Sequence, residues 1–108
     1  MKPEDWLRPT PHGLHVLPGG FHIDPTRPVA RALVTHGHSD HARPGNEAVL
    51  ATAGTLAIMR ARYGDAAGGT LQEARYGERL EIGGVGVALA PAGHVLGSAQ
   101  IAVEHGGV

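Results

Sequence analysis

Glycine and proline interrupt this 108-residue chain so often that only short secondary-structure elements fit between them. There are 17 glycines and 8 prolines, and some form turn-favouring pairs such as Gly83-Gly84. The runs between them are short, apolar or alternating in polarity, and partly β-branched, which is typical of β-strands. The spacing therefore predicts a series of short strands with a single helix.

Seven segments have the pattern of strands: 13–17, 21–24, 30–35, 48–51, 79–82, 85–90 and 99–104. Two neighbouring pairs are separated by Gly-containing turns and are predicted to be antiparallel hairpins. Segment 30–35 is largely apolar, as expected of a strand buried on both faces. In segment 85–90, Val85, Val87 and Leu89 share one face.

One helix is predicted over residues 53–63. Thr52 offers a hydroxyl as its N-cap, and Leu56, Met59 and Tyr63 fall on one apolar stripe. Gly64 is expected to end the helix. The polar, glycine-rich residues 64–70 are predicted to form a mobile loop.

The composition limits the chemistry that this chain can perform. With 42% hydrophobic residues it can bury a core, and its length predicts one domain. It has no cysteine, which excludes a disulfide framework, a thiolate nucleophile and a cysteine zinc site. The formal charge of -1 gives no basic footprint for a nucleic acid. Eight histidines exceed what packing requires and point to metal or proton chemistry.

The N-terminus lacks the apolar region of a signal peptide. No apolar stretch approaches the roughly 18 residues of a membrane span. A soluble, cytoplasmic protein is expected from these two features.

The segment His36-Gly37-His38-Ser39-Asp40-His41 places four metal-competent side chains directly after segment 30–35, the strand predicted to be the most buried. In an extended chain, His36 and His38 point to the same side and can reach one ion. Asp40 and His41 follow where the backbone must turn, and they can reach a second ion. A solvated histidine-rich loop and a single structural zinc site remain the alternatives.

His94 lies between glycines just beyond the 85–90 strand. Alone, it would be an ordinary, partly buried loop residue. Together with His36 and His38 it would complete a three-histidine set that leaves a fourth position open for water.

The His36–His41 motif, His94 and the surrounding Ala92-Gly93-His94-Val95-Leu96-Gly97-Ser98-Ala99 resemble the metallo-β-lactamase superfamily. Within it they resemble the β-CASP nucleases, and the whole chain is similar to the bacterial ligase-associated DNA exonucleases. This resemblance implies an α/β fold, the αββα sandwich, of which residues 1–108 would be the N-terminal, β-rich part.

The resemblance also assigns roles. His36, His38 and His94 would bind one zinc ion, and Asp40 and His41, the catalytic pair, would bind another, with manganese as the alternative metal. Asp24 would support the site by orienting a ligand. The alternative interpretation is an aspartate in the turn before Pro25. The implied reaction is attack of a metal-bound hydroxide on a phosphodiester.

The family's bridging aspartate, its last zinc histidine and the β-CASP insertion are absent and would follow Val108. A fragment of this kind is expected to be inactive and poorly stable alone. The implied partners are DNA, with RNA as the alternative substrate, and a DNA ligase and helicase of the same pathway, but no membrane.

Two other functions stay open: a small-molecule metallohydrolase of the same fold, such as a thioesterase or lactonase, and a non-catalytic metal-binding or protein-interaction module. The remaining histidines are interpreted as surface or strand-face residues: His12, His15, His22 and His105. Four arginines are interpreted as a solvated face, with phosphate contact as the alternative: Arg60, Arg62, Arg75 and Arg79.

Overall fold

The computed structural model describes residues 2–108, which form nine strands in two sheets and one α-helix. In chain order, the elements are β1 (Leu7–Thr10), β2 (Gly13–Val16), β3 (Phe21–Ile23), β4 (Arg31–Leu33), β5 (Ala48–Ala51), α1 (Ala53–Tyr63), β6 (Thr70–Glu73), β7 (Arg79–Ile82), β8 (Val85–Pro91) and β9 (Ala99–Glu104). Short 3-10 turns cover Pro3–Asp5 and Gly64–Ala67.

The first six strands form one sheet in sequence order, and the last three form the other. In the six-stranded sheet β1, β2 and β3 are antiparallel, whereas β3 to β6 run parallel. The three-stranded sheet is antiparallel throughout. Both predicted hairpins are confirmed, including the one that turns at Gly83-Gly84, where Ile82 pairs with Val85.

Two apolar clusters hold these layers together. The first lies between the sheets and includes Phe21, Leu33 and the predicted stripe of Val85, Val87 and Leu89, all at most 2% exposed. The second lies between the outer face of the six-stranded sheet and α1, where Leu56 and Met59 pack with Val49, Val34 and Ala51. Burial of an aliphatic side chain of this size contributes about 1.5–3 kcal/mol, so each cluster anchors its layer.

The predicted α/β class and αββα sandwich are wrong for this chain. It is mostly β: α1 covers one outer face of the six-stranded sheet, and within residues 2–108 no helix covers the three-stranded sheet. The physical reason lies in the sequence, because only residues 53–63 combine a cap with helical periodicity. The second helical layer is implied by the resemblance alone, and no segment of the sequence predicts it.

The helix itself agrees with its prediction. The Thr52 hydroxyl accepts a hydrogen bond from the Thr55 amide at 3.3 Å, and Leu56 and Met59 face the sheet. Its 11 residues are too few to span a membrane, and nowhere in residues 2–108 is a helix long and apolar enough to do so.

Two strands, β1 and β6, were not predicted. β1 contains Pro9, which is tolerated because β1 is an edge strand of its sheet. β6 begins at Thr70 and contains one half-buried apolar residue, Leu71, so its alternation is too weak to recognise. The expected loop over residues 64–70 contains the 3-10 turn Gly64–Ala67 instead.

The parallel arrangement of β3, β4 and β5 brings their carboxyl ends to one edge of the sheet. Asp24 follows β3, Thr35 and His36 follow β4, and Thr52 follows β5. In open parallel sheets this edge is where binding sites form.

Candidate metal centre

Three histidines from two distant loops meet at this edge. The ring centroids of His36 and His38 are 5.0 Å apart, and the His94 ring lies 5.0 Å from the first and 4.7 Å from the second. One potential ligand atom of each lies within 4.8 Å of those of the other two. The structure therefore brings His94 to His36 and His38, which lie 58 and 56 positions earlier in the sequence.

The spacing of these nitrogens is suited to one shared cation. His94 Nε2 lies 3.3 Å from His38 Nδ1. A tetrahedral zinc ion about 2.0–2.1 Å from two nitrogens holds those nitrogens about 3.3 Å apart. Neutral imidazoles are the ligands that such an ion prefers when no thiolate is present.

A second group forms on the other side of His36. Ligand-competent atoms of Asp24, His36 and His41 also lie within 4.8 Å of one another. The His36 and His41 rings are 4.2 Å apart. Asp40 is not part of this group: its side chain is 71% exposed, and its Oδ2 lies 3.6 Å from His41 Nε2. His36 is thus shared by two adjacent clusters, while Asp40 lies at their solvent side.

Asp24 accepts three side-chain hydrogen bonds next to the histidines. Its carboxylate accepts from the Thr35 amide at 2.8 Å, from the Thr35 hydroxyl at 2.5 Å and from His41 Nδ1 at 2.9 Å. Its backbone has a φ of 46°, a left-handed conformation that aspartate tolerates better than most residues. The side chain is only 15% exposed, so these bonds fix it in place.

These contacts assign the ring protons of two histidines. A carboxylate only accepts, so His41 carries its proton on Nδ1 and leaves Nε2 free. The single Thr35 hydroxyl proton goes to Asp24, and the hydroxyl oxygen, 2.8 Å from His36 Nδ1, therefore accepts from that nitrogen. In both rings Nε2 is left as a lone-pair donor, the form that binds a metal.

The electrostatics favour the neutral form of His36. Burial lowers its pKa below the usual 6.5, and the neighbouring His41, His38 and His94 lower it further, while Asp24 opposes the shift. A ring that resists protonation is available as a ligand over a wider pH range.

The backbone of each loop is shaped by its own hydrogen bonds. The carbonyl of His38 accepts from the amides of His41 and Ala42, at 3.0 and 2.8 Å, and this turn brings His41 back toward His36. In the other loop the Ser98 hydroxyl accepts from the amides of His94 and Val95. The amide of Ala99 donates to the carbonyl of Thr35 at 2.7 Å, which joins the two loops directly.

Of the predicted site residues, His36, His38, His41, His94 and Asp24 gather in the two clusters, and Asp40 borders them. Sequence reasoning missed Thr35, because a threonine at a strand end has no distinctive pattern. The interpretation of Arg62 as part of a solvated face is incomplete, because its Nη1 donates to the carbonyl of Gly37 at 2.6 Å. Arg75 and Arg79 agree better with the solvated-face reading, since they pair with Glu73 and Glu104 at the surface.

No model of a known protein family matches the chain. A curated protein of Opitutus terrae named "Probable DNA ligase" is similar to it, with 41% identity over 102 residues, or 88% of this chain. The chain spans 9% of the length of that relative.

Proposed function

We propose that this chain belongs to a metal-dependent phosphodiester hydrolase, a DNA exonuclease of the ligase-associated type, in which two zinc ions, or manganese in their place, act at the His36–His41 loop. The observation that carries the proposal is the meeting of His36, His38 and His94 at nitrogen spacings that suit one ion. The resemblance of the motif to the β-CASP nucleases supports the same reaction class.

In this proposal the cluster of His36, His38 and His94 would hold the first ion. Asp40 and His41 would hold the second, and Asp24 would keep His41 Nε2 free by accepting from Nδ1. A pair of such ions supplies a hydroxide at neutral pH and offsets the charge of a phosphodiester. Asp40, whose exposed carboxylate lies 3.6 Å from His41 Nε2, would orient the attacking water.

The location of the exposed ligands supports access by a polymer. Within residues 2–108, His38 and His94 are exposed at the surface. The cavity of about 440 Å³ lies elsewhere, between the sheets, where Leu33, Leu50 and Ile82 line it. The candidate ligands therefore do not line this small-molecule-sized cavity.

The name of the Opitutus terrae relative supports DNA as the substrate class. Removing nucleotides from DNA ends and joining those ends are consecutive steps of one process. We accordingly propose a DNA ligase of the same pathway as the functional partner, together with a helicase.

The test uses the full-length protein and the double substitution of His36 and His38 by alanine. The wild type is expected to retain two metal ions by mass spectrometry and to shorten end-labelled DNA. The double variant is expected to lose both properties, since it removes two of three ligands of one ion and the residue shared by both clusters. His12→Ala removes an exposed histidine outside the clusters and serves as the matched control.

Three results would contradict the proposal. Retention of two ions by the double variant would refute the ligand assignment. A wild type that hydrolyses thioesters or lactones but not DNA would show a small-molecule metallohydrolase. Tight binding of one ion without any hydrolysis would show a metal-binding module.

A further inference from the structure

Helix α1 contacts both loops that carry the candidate ligands, one at each end of the helix. At its N-terminal end the hydroxyls of Thr52 and Thr55 donate to the carbonyl of Gly97, at 2.5 and 3.1 Å. At its C-terminal end the Tyr63 hydroxyl donates to the carbonyl of Ala42 at 2.8 Å. Gly97 lies three residues after His94, and Ala42 directly follows His41.

The N-terminal contact depends on two glycines. A Cβ on Gly97 would lie 2.6 Å from the Thr55 amide nitrogen, and one on Gly54 would lie 3.0 Å from the Gly97 Cα. Gly97 also has a φ of +75°, a conformation that other residues rarely adopt. The helix and the His94 loop therefore meet backbone to backbone, with the two threonine hydroxyls satisfying one carbonyl.

The C-terminal end of α1 contacts the His36–His41 loop at two positions. Arg62 Nη1 donates to the carbonyl of Gly37, which lies between His36 and His38, while Tyr63 holds the far end at Ala42. A Cβ on Gly37 would come within 2.8 Å of Ile58, so this residue is small because α1 packs against it.

The helix is itself fixed to the sheet independently of the ligands. Leu56 and Met59 are 2% and 0% exposed against Val49 and Ala51 of β5. A rigid element that touches two loops sets the distance between them, whereas two loops without it would each fluctuate on their own.

We propose that α1 is a shared positioning element for the two ligand loops, with Thr55 acting on the His94 loop and Tyr63 on the His36–His41 loop. This inference rests on the metal centre proposed above. Neither side chain is among the proposed ligands. Each acts through a backbone carbonyl of a ligand loop, that of Gly97 three residues after His94 or that of Ala42 directly after His41. Each would therefore influence metal affinity and the orientation of one histidine.

The experiment measures zinc affinity of the full-length protein by competition with a chromophoric chelator. Thr55→Val and Tyr63→Phe each remove one hydroxyl and are expected to weaken zinc binding by about tenfold, the lower end of the range for groups that support metal ligands, because each acts through the backbone. Thr55→Ser keeps the hydroxyl and is expected to restore the affinity. Thr10→Val is the matched control. The Thr10 hydroxyl donates to the Gly13 carbonyl at 2.7 Å, and this hydrogen bond does not involve α1.

A second readout separates positioning from simple loss of stability. The imidazole nitrogen resonances of His94 are expected to change in Thr55→Val, and those of His41 in Tyr63→Phe, whereas Thr10→Val leaves both unchanged. If Thr55→Val unfolds the metal-free chain, Tyr63→Phe provides the same comparison from the other end of the helix.

The outcomes distinguish the two proposals. If the wild type binds zinc and both variants bind it equally well, the role of α1 is overturned while the metal centre stands. If the wild type binds no zinc, the metal centre is refuted and the role of α1 falls with it. Weaker binding in both variants, with rescue by Thr55→Ser, supports the positioning role.

Discussion

Replacing Asp24 by asparagine is expected to move the ring protons of two candidate ligands. The asparagine amide can keep the bond from the Thr35 amide, but its NH₂ group replaces the oxygen that accepts from Thr35 and His41. An NH₂ group donates, so His41 Nδ1 must become the acceptor and its proton moves to Nε2. The Thr35 hydroxyl, now also receiving a bond, donates to His36 Nδ1 and drives the same change there.

The size of the effect follows from the number of ligands affected. Loss of one group that orients a ligand costs about 10–100-fold in metal affinity. Because His36 and His41 both lose their free Nε2, we expect the upper end, about 100-fold, which corresponds to about 2.7 kcal/mol. Asparagine also tolerates the left-handed backbone at position 24, so the strain there changes little.

The assay is a zinc titration of wild type and Asp24→Asn, combined with nitrogen NMR of the imidazoles in the metal-free state. Asp65→Asn, at an exposed carboxylate in the turn after α1, controls for the loss of one negative charge. Zinc affinity within about twofold of the wild type, or unchanged tautomers of His36 and His41, would refute the hydrogen-bond argument.

Two further predictions concern stability. Gly97→Ala is expected to lower the free energy of unfolding by about 2 kcal/mol or more, since its Cβ would meet Thr55. The control is Gly77→Ala, because Gly77 has a φ of +79° but open space around it. It should lower the free energy of unfolding clearly less in the same urea titration. Burial and the neighbouring His15 and His12 lower the pKa of His22 below its usual 6.5, so the unfolded chain binds more protons and stability should fall as the pH is lowered through that range. His22→Asn should flatten this dependence in melting experiments between pH 7.5 and 5.5, and an unchanged slope would contradict it.

Local patterns in the sequence predicted most of the elements but not their layers. Alternation identified β8, whose Val85, Val87 and Leu89 reach the core, and the Thr52 cap with its apolar stripe located α1 to the residue. Strand β1 was not predicted, because Pro9 interrupts the alternation of polar and apolar residues. The number of helical layers is a non-local property that these patterns do not show. The αββα prediction rests on the resemblance and is wrong.

In the candidate site, too, local patterns predicted some residues, whereas contacts that depend on the fold were not predictable. The two-residue spacing of His36 and His38 and the position of His94 after a strand were readable, because chain geometry fixes where such side chains point. The bonds from Thr35, Thr55 and Tyr63 were not readable, since each joins a common side chain to a partner that only the fold brings near. A residue that positions a ligand through a backbone carbonyl therefore cannot be recognised from its residue type.

The central claim is that one cation joins the loop after β4 to the loop after β8. A crystal structure of the full-length protein grown with zinc tests this most directly, with the metal located by its anomalous scattering. We expect an ion bound by the imidazoles of His36, His38 and His94 together. An ion held without His94, or a His94 ring turned away from the other two, would contradict it.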